Sequence, residues 1–136
     1  MFNFNTTSVI KFGKNSSINF YTEIIDLLGK KILFVTDKNL TDLSINHSLI
    51  SILKKKTDLK IFQNIESDPS LKTVLTAIEE SIDFIPTGVL GFGGGSVMDV
   101  AKIVALLLGK KQNINDIWGI NKAKGPRLPL ILIPTT

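Results

Sequence analysis

Gly88-Val89-Leu90-Gly91-Phe92-Gly93-Gly94-Gly95-Ser96-Val97-Met98-Asp99 runs from an apolar stretch through three adjacent glycines into a segment of helical apolar spacing. Gly88 to Phe92 reads as a strand, and Val97 to Leu108 as a buried helix interrupted only by Asp99 and Lys102. Three consecutive glycines cost up to about 1 kcal/mol each to order relative to alanine, so such a run is expected where a molecule approaches the backbone or φ is positive. A helix amino terminus placed there exposes unpaired N–H groups and a partial positive charge, which suits a diphosphate. The Gly93 to Ser96 backbone is thus the first candidate phosphate contact, with a purely structural turn as the alternative. The strict G-x-G-x-x-G spacing is absent, since Ser96 stands where its last glycine would be. Ser96 and Asp99 also have the spacing of a capping box, a local reading that needs no ligand.

Working outward, the same alternation continues. Ser8 to Phe12 is strand-like, and Ile18, Tyr21, Ile24, Ile25 and Leu28 form a helical stripe stopped by Gly29. Ile32 to Val35 is an uninterrupted apolar run, the pattern of a strand covered on both faces. Leu49, Ile50, Ile52 and Leu53 predict a helix ending in Lys54, Lys55 and Lys56, followed by a short strand at Leu59 to Phe62. Leu71, Val74, Leu75, Ile78 and Ile82 mark another helix, with Ser70 as its N-cap and Pro86 closing the connection. Leu130 to Ile133 is the last apolar strand. Strands alternating with helices imply βαβ units, hence an α/β fold: a Rossmann-like, mainly parallel sheet with helices on both faces. The polar stretch from Lys110 to Arg127 is the one large irregular segment, and its Trp118 is expected to pack on the core in preference to flanking a ligand.

Ligands of open α/β sheets bind at the carboxyl ends of strands. Three candidate contacts fall there. Asp37 follows the first buried strand, where its carboxylate can accept from ribose hydroxyls and repel a 2′-phosphate, or can simply cap the helix that follows. Gly93 to Ser96 is the second, and Thr135 with Thr136 the third. Lys102 lies one turn beyond Asp99, which makes the two either a surface pair or groups close to a bound cofactor.

Composition narrows the partners. The 136 residues, 43% hydrophobic and 21% charged, suit one soluble domain with one core. A formal charge of +4 is spread over scattered lysines without interleaved aromatics, so nucleic-acid binding is not expected. The absence of cysteine excludes a disulfide framework or a thiolate site in this chain and is compatible with the cytoplasm. No secretory signal is visible after Met1, and Val97 to Leu108 is too short to span a membrane.

At this point the residues resemble the iron-containing alcohol dehydrogenases of the dehydroquinate-synthase-like superfold. The likeness is carried by Ile10-Lys11-Phe12-Gly13, Val35-Thr36-Asp37-Lys38, Asp68-Pro69, and the string Gly93 to Lys102, with Asp99 and Lys102 in it. Asp116-Ile117-Trp118 and the Pro129 to Thr136 segment, ending Ile-Pro-Thr-Thr, extend it over nearly the whole chain. The resemblance implies a dinucleotide-binding domain over residues 1–136, apparently a fragment ending at the Pro-Thr-Thr strand end. It also implies that Asp37 and Asp68 contact the adenosine part of NAD, that Gly93, Gly94, Gly95, Ser96, Val97 and Met98 hold the pyrophosphate, and that Thr135 and Thr136 line the site. NAD is expected in preference to NADP. Asp99 and Lys102 are cofactor-proximal candidates, and no catalytic residue is assigned. In the family, Fe²⁺ or Zn²⁺ is held by an Asp and three His of a helical C-terminal domain absent from these residues; here His47 is the lone histidine, read as a solvated helix start. The expected activity is NAD-dependent interconversion of a small alcohol and aldehyde by hydride transfer when full length, with the 136-residue piece inactive alone. Open alternatives are a glycerol dehydrogenase, a dehydroquinate synthase-like relative, or a nucleotide-binding module without chemistry. Neither nucleic acid nor membrane is an expected partner, and a homo-oligomer of the full-length protein stays open.

Overall fold

Apolar runs without polar interruption bury on both sides, as Ile32 to Val35 and Gly88 to Phe92 do at the centre of one parallel sheet, with the less covered Leu59 to Phe62, which carries Lys60, and Leu130 to Ile133 at its edges. The computed structural model describes residues 7–41, 44–110 and 112–135. Its strands are β1 (Lys31–Thr36), β2 (Asp58–Phe62), β3 (Gly88–Gly93) and β4 (Leu130–Pro134). They lie in the order β2-β1-β3-β4, every pair parallel, with Phe34 opposite both Ile61 and Leu90, and Leu90 opposite Ile131. The helices are α1 (Ser16–Asn19), α2 (Tyr21–Leu28), α3 (Lys38–Thr41), α4 (Ser44–Lys56), α5 (Leu71–Ile82) and α6 (Gly95–Lys110), with a 3₁₀ turn at Ile114–Ile117.

Because side chains alternate along a strand, β1 feeds two cores at once. Ile32 and Phe34 join Leu90 and Phe92 under α2 and α4, which contribute Ile24, Leu28, Leu49 and Leu53. Leu33 and Val35 face the other way, against Val74 and Ala77 of α5 and Val97, Val100, Ala101 and Val104 of α6. Each of the buried Val, Leu, Ile and Phe side chains contributes roughly 1.5–3 kcal/mol, so the two-layered cover on β1 and β3 fixes their register. Gly91 permits close seating of α6: a Cβ there would lie 2.9 Å from that of Ala101 and 2.8 Å from Leu132 Cδ2. Gly29, at φ 80°, ends α2 as its sequence position predicts. Ser70 caps α5, its hydroxyl accepting from the Thr73 N–H at 3.3 Å. No helix among the described residues is long and apolar enough to cross a membrane.

Three local expectations are corrected. Ser8 to Phe12 forms no strand; Val9, Ile10 and Phe12 are exposed, Phe12 completely. A strand needs a ladder partner, and none of the four described strands lies beside this segment. The stripe from Ile18 to Leu28 is two helices, α1 and α2, separated at Phe20. Trp118 does not pack on the core but is 69% exposed, because the segment after the 3₁₀ turn runs out over the surface.

Candidate functional site

The strand order creates the site. From β1 the chain steps to β2 on one side, then crosses back over β1 to β3 and on to β4, so the direction of winding reverses between β1 and β3. Such a switch point leaves a crevice outside the carboxyl ends of the two strands, where ligands of open α/β sheets bind. The buried Thr36 hydroxyl donates to Phe92 O at 2.8 Å and ties β1 to β3 at that point. Asp37 emerges on one side of the switch and the glycine turn on the other.

Asp37 is half-buried, and its Oδ1 accepts from the Asn39 N–H at 2.7 Å. The helix-capping reading is therefore realised in one oxygen, while the carboxylate keeps its place at the crevice. Asp68 is exposed on the loop after β2. Thr135 continues the ladder past β4, its N–H donating to Gly93 O at 3.1 Å, and is exposed. Thr136 lies outside the described residues. The four carboxyl-end segments thus span three strand spacings of about 4.8 Å, roughly 14 Å in all.

At the centre, α6 begins on Gly95, and the first helical hydrogen bond runs from Met98 N–H to Gly94 O at 3.0 Å. The N–H groups of Gly95, Ser96 and Val97 therefore make no hydrogen bond among the described residues, as the geometry of a helix start requires. With the dipole of a 16-residue helix behind them, they form a cradle for an anion. The neighbouring glycines have different causes. Gly93 is required by packing, since a Cβ would sit 2.7 Å from Val97 Cγ2. Gly95 is not: a Cβ would meet nothing within 4 Å, and its φ is not positive. Nothing among the described residues explains why residue 95 lacks a side chain. Val97 is buried beneath the turn and Met98 half-buried, so only their backbone belongs to the cradle's surface.

Ser96 departs from the capping-box expectation. It lies inside the first turn of α6, and its hydroxyl donates to Ser67 O at 2.8 Å, on the loop after β2. The capping box fails because the turn already starts at Gly94, which moves Ser96 two residues past the cap. The signal that would have revealed the cross-loop bond is long-range and absent from local spacing. Asp99 and Lys102 form the surface pair, Oδ1 to Nζ 3.0 Å, both more than half exposed. Exposed pairs of this kind contribute between about 0 and 1 kcal/mol.

Two open hollows lie on the opposite, amino edge of the sheet, one lined by Tyr21, Thr22, Ile25, Asp26, Lys30 and Lys56 and the other by Lys30, Lys54 to Asp58. Lysines of this run complement the carboxyl-terminal dipole of α4, and neither hollow reaches the glycine turn. Among the described residues no three His, Cys, Asp or Glu side chains come together as a metal site, and His47 is exposed on α4.

Comparison with known proteins agrees with this geometry. A family model for iron-containing alcohol dehydrogenase matches residues 7–136. Over 115 residues the chain is 33% identical to the sulfoacetaldehyde reductase of Bilophila wadsworthia, taking in 84% of this chain and 30% of that one. It superposes on the crystal structure of an iron-containing alcohol dehydrogenase with a TM-score of 0.86 and 34% identity, covering 100% of this chain and 38% of the other. A sulfoacetaldehyde reductase from Bifidobacterium kashiwanohense, solved in complex with NAD⁺, gives a TM-score of 0.81 at 25% identity, with 100% and 36% covered. The chain spans about a third of the length of these relatives.

Proposed function

This chain belongs to the iron-containing alcohol dehydrogenase family, and from that premise we propose that residues 1–136 are the dinucleotide-binding domain of an NAD-dependent, metal-dependent alcohol dehydrogenase. The observation that carries the reading is Gly95: three unpaired N–H groups open onto a space that a side chain could fill, at the switch point of the sheet. A diphosphate seated there is the molecule whose approach would require the glycine. NAD supplies the hydride acceptor when bound. The chain's own residues bind and orient it: within the Gly93 to Met98 turn the N–H groups of Gly95, Ser96 and Val97 take the diphosphate, Asp37 the ribose hydroxyls and Asp68 the adenosine end, while Thr135 lines the site beside it, with Thr136, outside the described residues, as the resemblance implies. The Asp37 carboxylate disfavours a 2′-phosphate and so selects NAD over NADP.

The described residues do not fit the Fe²⁺ or Zn²⁺ that the family implies, and no step is assigned to a metal through them. Asp99 and Lys102 satisfy each other at the surface, and neither is given a part in the chemistry. The proposed substrate is a small alcohol or aldehyde, in keeping with the aldehyde named for the two reductases that the chain resembles. A cytoplasmic location, a role without nucleic acid or membrane, and a homo-oligomeric assembly complete the reading.

Two measurements on the full-length protein test it. NAD titration should show saturable binding, and with added Fe²⁺ a primary alcohol should drive formation of NADH. Binding without turnover would leave a nucleotide-binding module and remove the dehydrogenase; absence of binding would remove the site.

A further inference from the structure

Ser96 carries one hydroxyl proton, and it is spent on Ser67 O. The side chain therefore has no donor left for a phosphate, and what the bond does is join the first turn of α6 to the loop after β2. That loop is itself clasped. Glu66 Oε1 accepts from the Ser70 N–H at 2.9 Å and from the Thr73 hydroxyl at 2.5 Å, and Ser70 Oγ lies 3.2 Å from Thr73 Oγ1. Thr73 is buried at the start of α5, whose next turns share a core with α6 through Val74, Ala77 and Val100. The five residues from Glu66 to Ser70 are thus closed at both ends, with Asp68 between the clasp and the Ser67 bond to α6.

We propose that Glu66 and Thr73 are positioning residues for dinucleotide binding: by closing the 66–70 loop they hold Ser67 O against the Ser96 hydroxyl and keep the first turn of α6 fixed beneath the diphosphate. This rests on the dinucleotide reading above. The carboxylate is suited to the task because it accepts two donors at once, and charge-assisted bonds are the stronger kind. The Thr73 hydroxyl first, then the Ser70 N–H, hold the Glu66 carboxyl down from 4.5 to about 2, so the clasp stays ionised at ordinary pH.

The test is NAD affinity of the full-length protein, measured for wild type, Thr73→Val, Thr73→Ser, Ser96→Ala, Glu66→Ala and the Glu66→Ala/Ser96→Ala double variant. Thr73→Val and Glu66→Ala should each weaken NAD binding about tenfold, the scale of one lost charge-assisted bond. Thr73→Ser keeps the hydroxyl and should restore affinity. The double variant should bind no more weakly than the worse single one, because both changes cut one chain of contacts. Thr73→Val should also make NAD affinity fall further at pH below about 5, because Glu66, left with the Ser70 N–H alone, titrates closer to the ordinary carboxylate range and loses that last bond on protonation, whereas Glu66→Ala shows no such dependence. Wild type that binds NAD while the single variants bind equally well, or singles whose losses add fully in the double, overturns the inference and leaves the dinucleotide reading standing. Wild type that binds no NAD overturns both.

Discussion

Replacing Gly95 by alanine separates what the fold needs at the glycine turn from what a ligand needs. The added Cβ meets no atom within 4 Å and the residue sits in the first turn of α6 at a φ that is not positive, so the folded protein accommodates it without strain. Alanine restricts the unfolded chain more than glycine does, and the change should therefore stabilise the fold by about 0.4–1 kcal/mol. In urea unfolding this is a rise in the midpoint with an unaltered slope. Affinity should move the opposite way. On the dinucleotide reading the methyl group takes up open space that the diphosphate needs, and displacing the diphosphate from even one of the Gly95, Ser96 and Val97 N–H groups forfeits a hydrogen bond to a charged group, about 1.5–3 kcal/mol. NAD binding should weaken by roughly 10- to 100-fold, measured by nucleotide titration of the same preparation. A protein that is stabilised and still binds NAD within about twofold of wild type would refute the reasoning, because the open face of Gly95 would then not be where the diphosphate sits.

Gly93→Ala should behave in the reverse sense, costing about 1–3 kcal/mol of stability with or without nucleotide, since its Cβ would press 2.7 Å from Val97 Cγ2 in a buried strand end; urea unfolding reads it directly. Asp37→Gly in the full-length enzyme should shift the NADP-to-NAD preference toward NADP by about tenfold, corresponding to 1.4 kcal/mol, and an unchanged ratio of kcat/KM values would remove Asp37 from the ribose site. The Glu66 carboxyl is lowered from 4.5 to about 2 in the folded protein, so the stability it contributes is fully present above pH 4.5 and is lost as pH falls toward 2. Glu66→Gln should remove that part of the acid destabilisation, seen as a shallower fall of the urea midpoint over this range.

Periodicity and punctuation carried most of the architecture. The apolar runs at Ile32 to Val35, Gly88 to Phe92 and Leu130 to Ile133, with the short segment Leu59 to Phe62, are the four described strands, and Ser70 caps α5 as its position before the helical stripe implies. Phe12 and Trp118 show where such reading stops. Both are large apolar side chains that a local pattern assigns to a strand or a core, yet each is exposed because none of the described elements lies against it. Burial is a property of what lies opposite, and a single segment does not contain that information. Ser96 shows the same for polar groups: its spacing to Asp99 suggested a cap, but its proton goes to Ser67, 29 residues away.

Alternation of strand and helix, with a glycine turn between β3 and α6, was enough to establish the fold class and to place Asp37 and Gly93 to Ser96 at strand ends, because side-chain period and chain stiffness are local. The resemblance carried by the glycine string and the Pro-Thr-Thr ending indicated the family. Strand order had to come from the folded chain: β3 pairs with β1 rather than with β2, and that choice creates the switch point between Asp37 and the turn. Packing also distinguished the glycines, assigning Gly93 to the contact with Val97 and leaving Gly95 open to solvent. Identical residues two positions apart differ only in what surrounds them, and the folded turn, not their identity, decides which of them a side chain would strike.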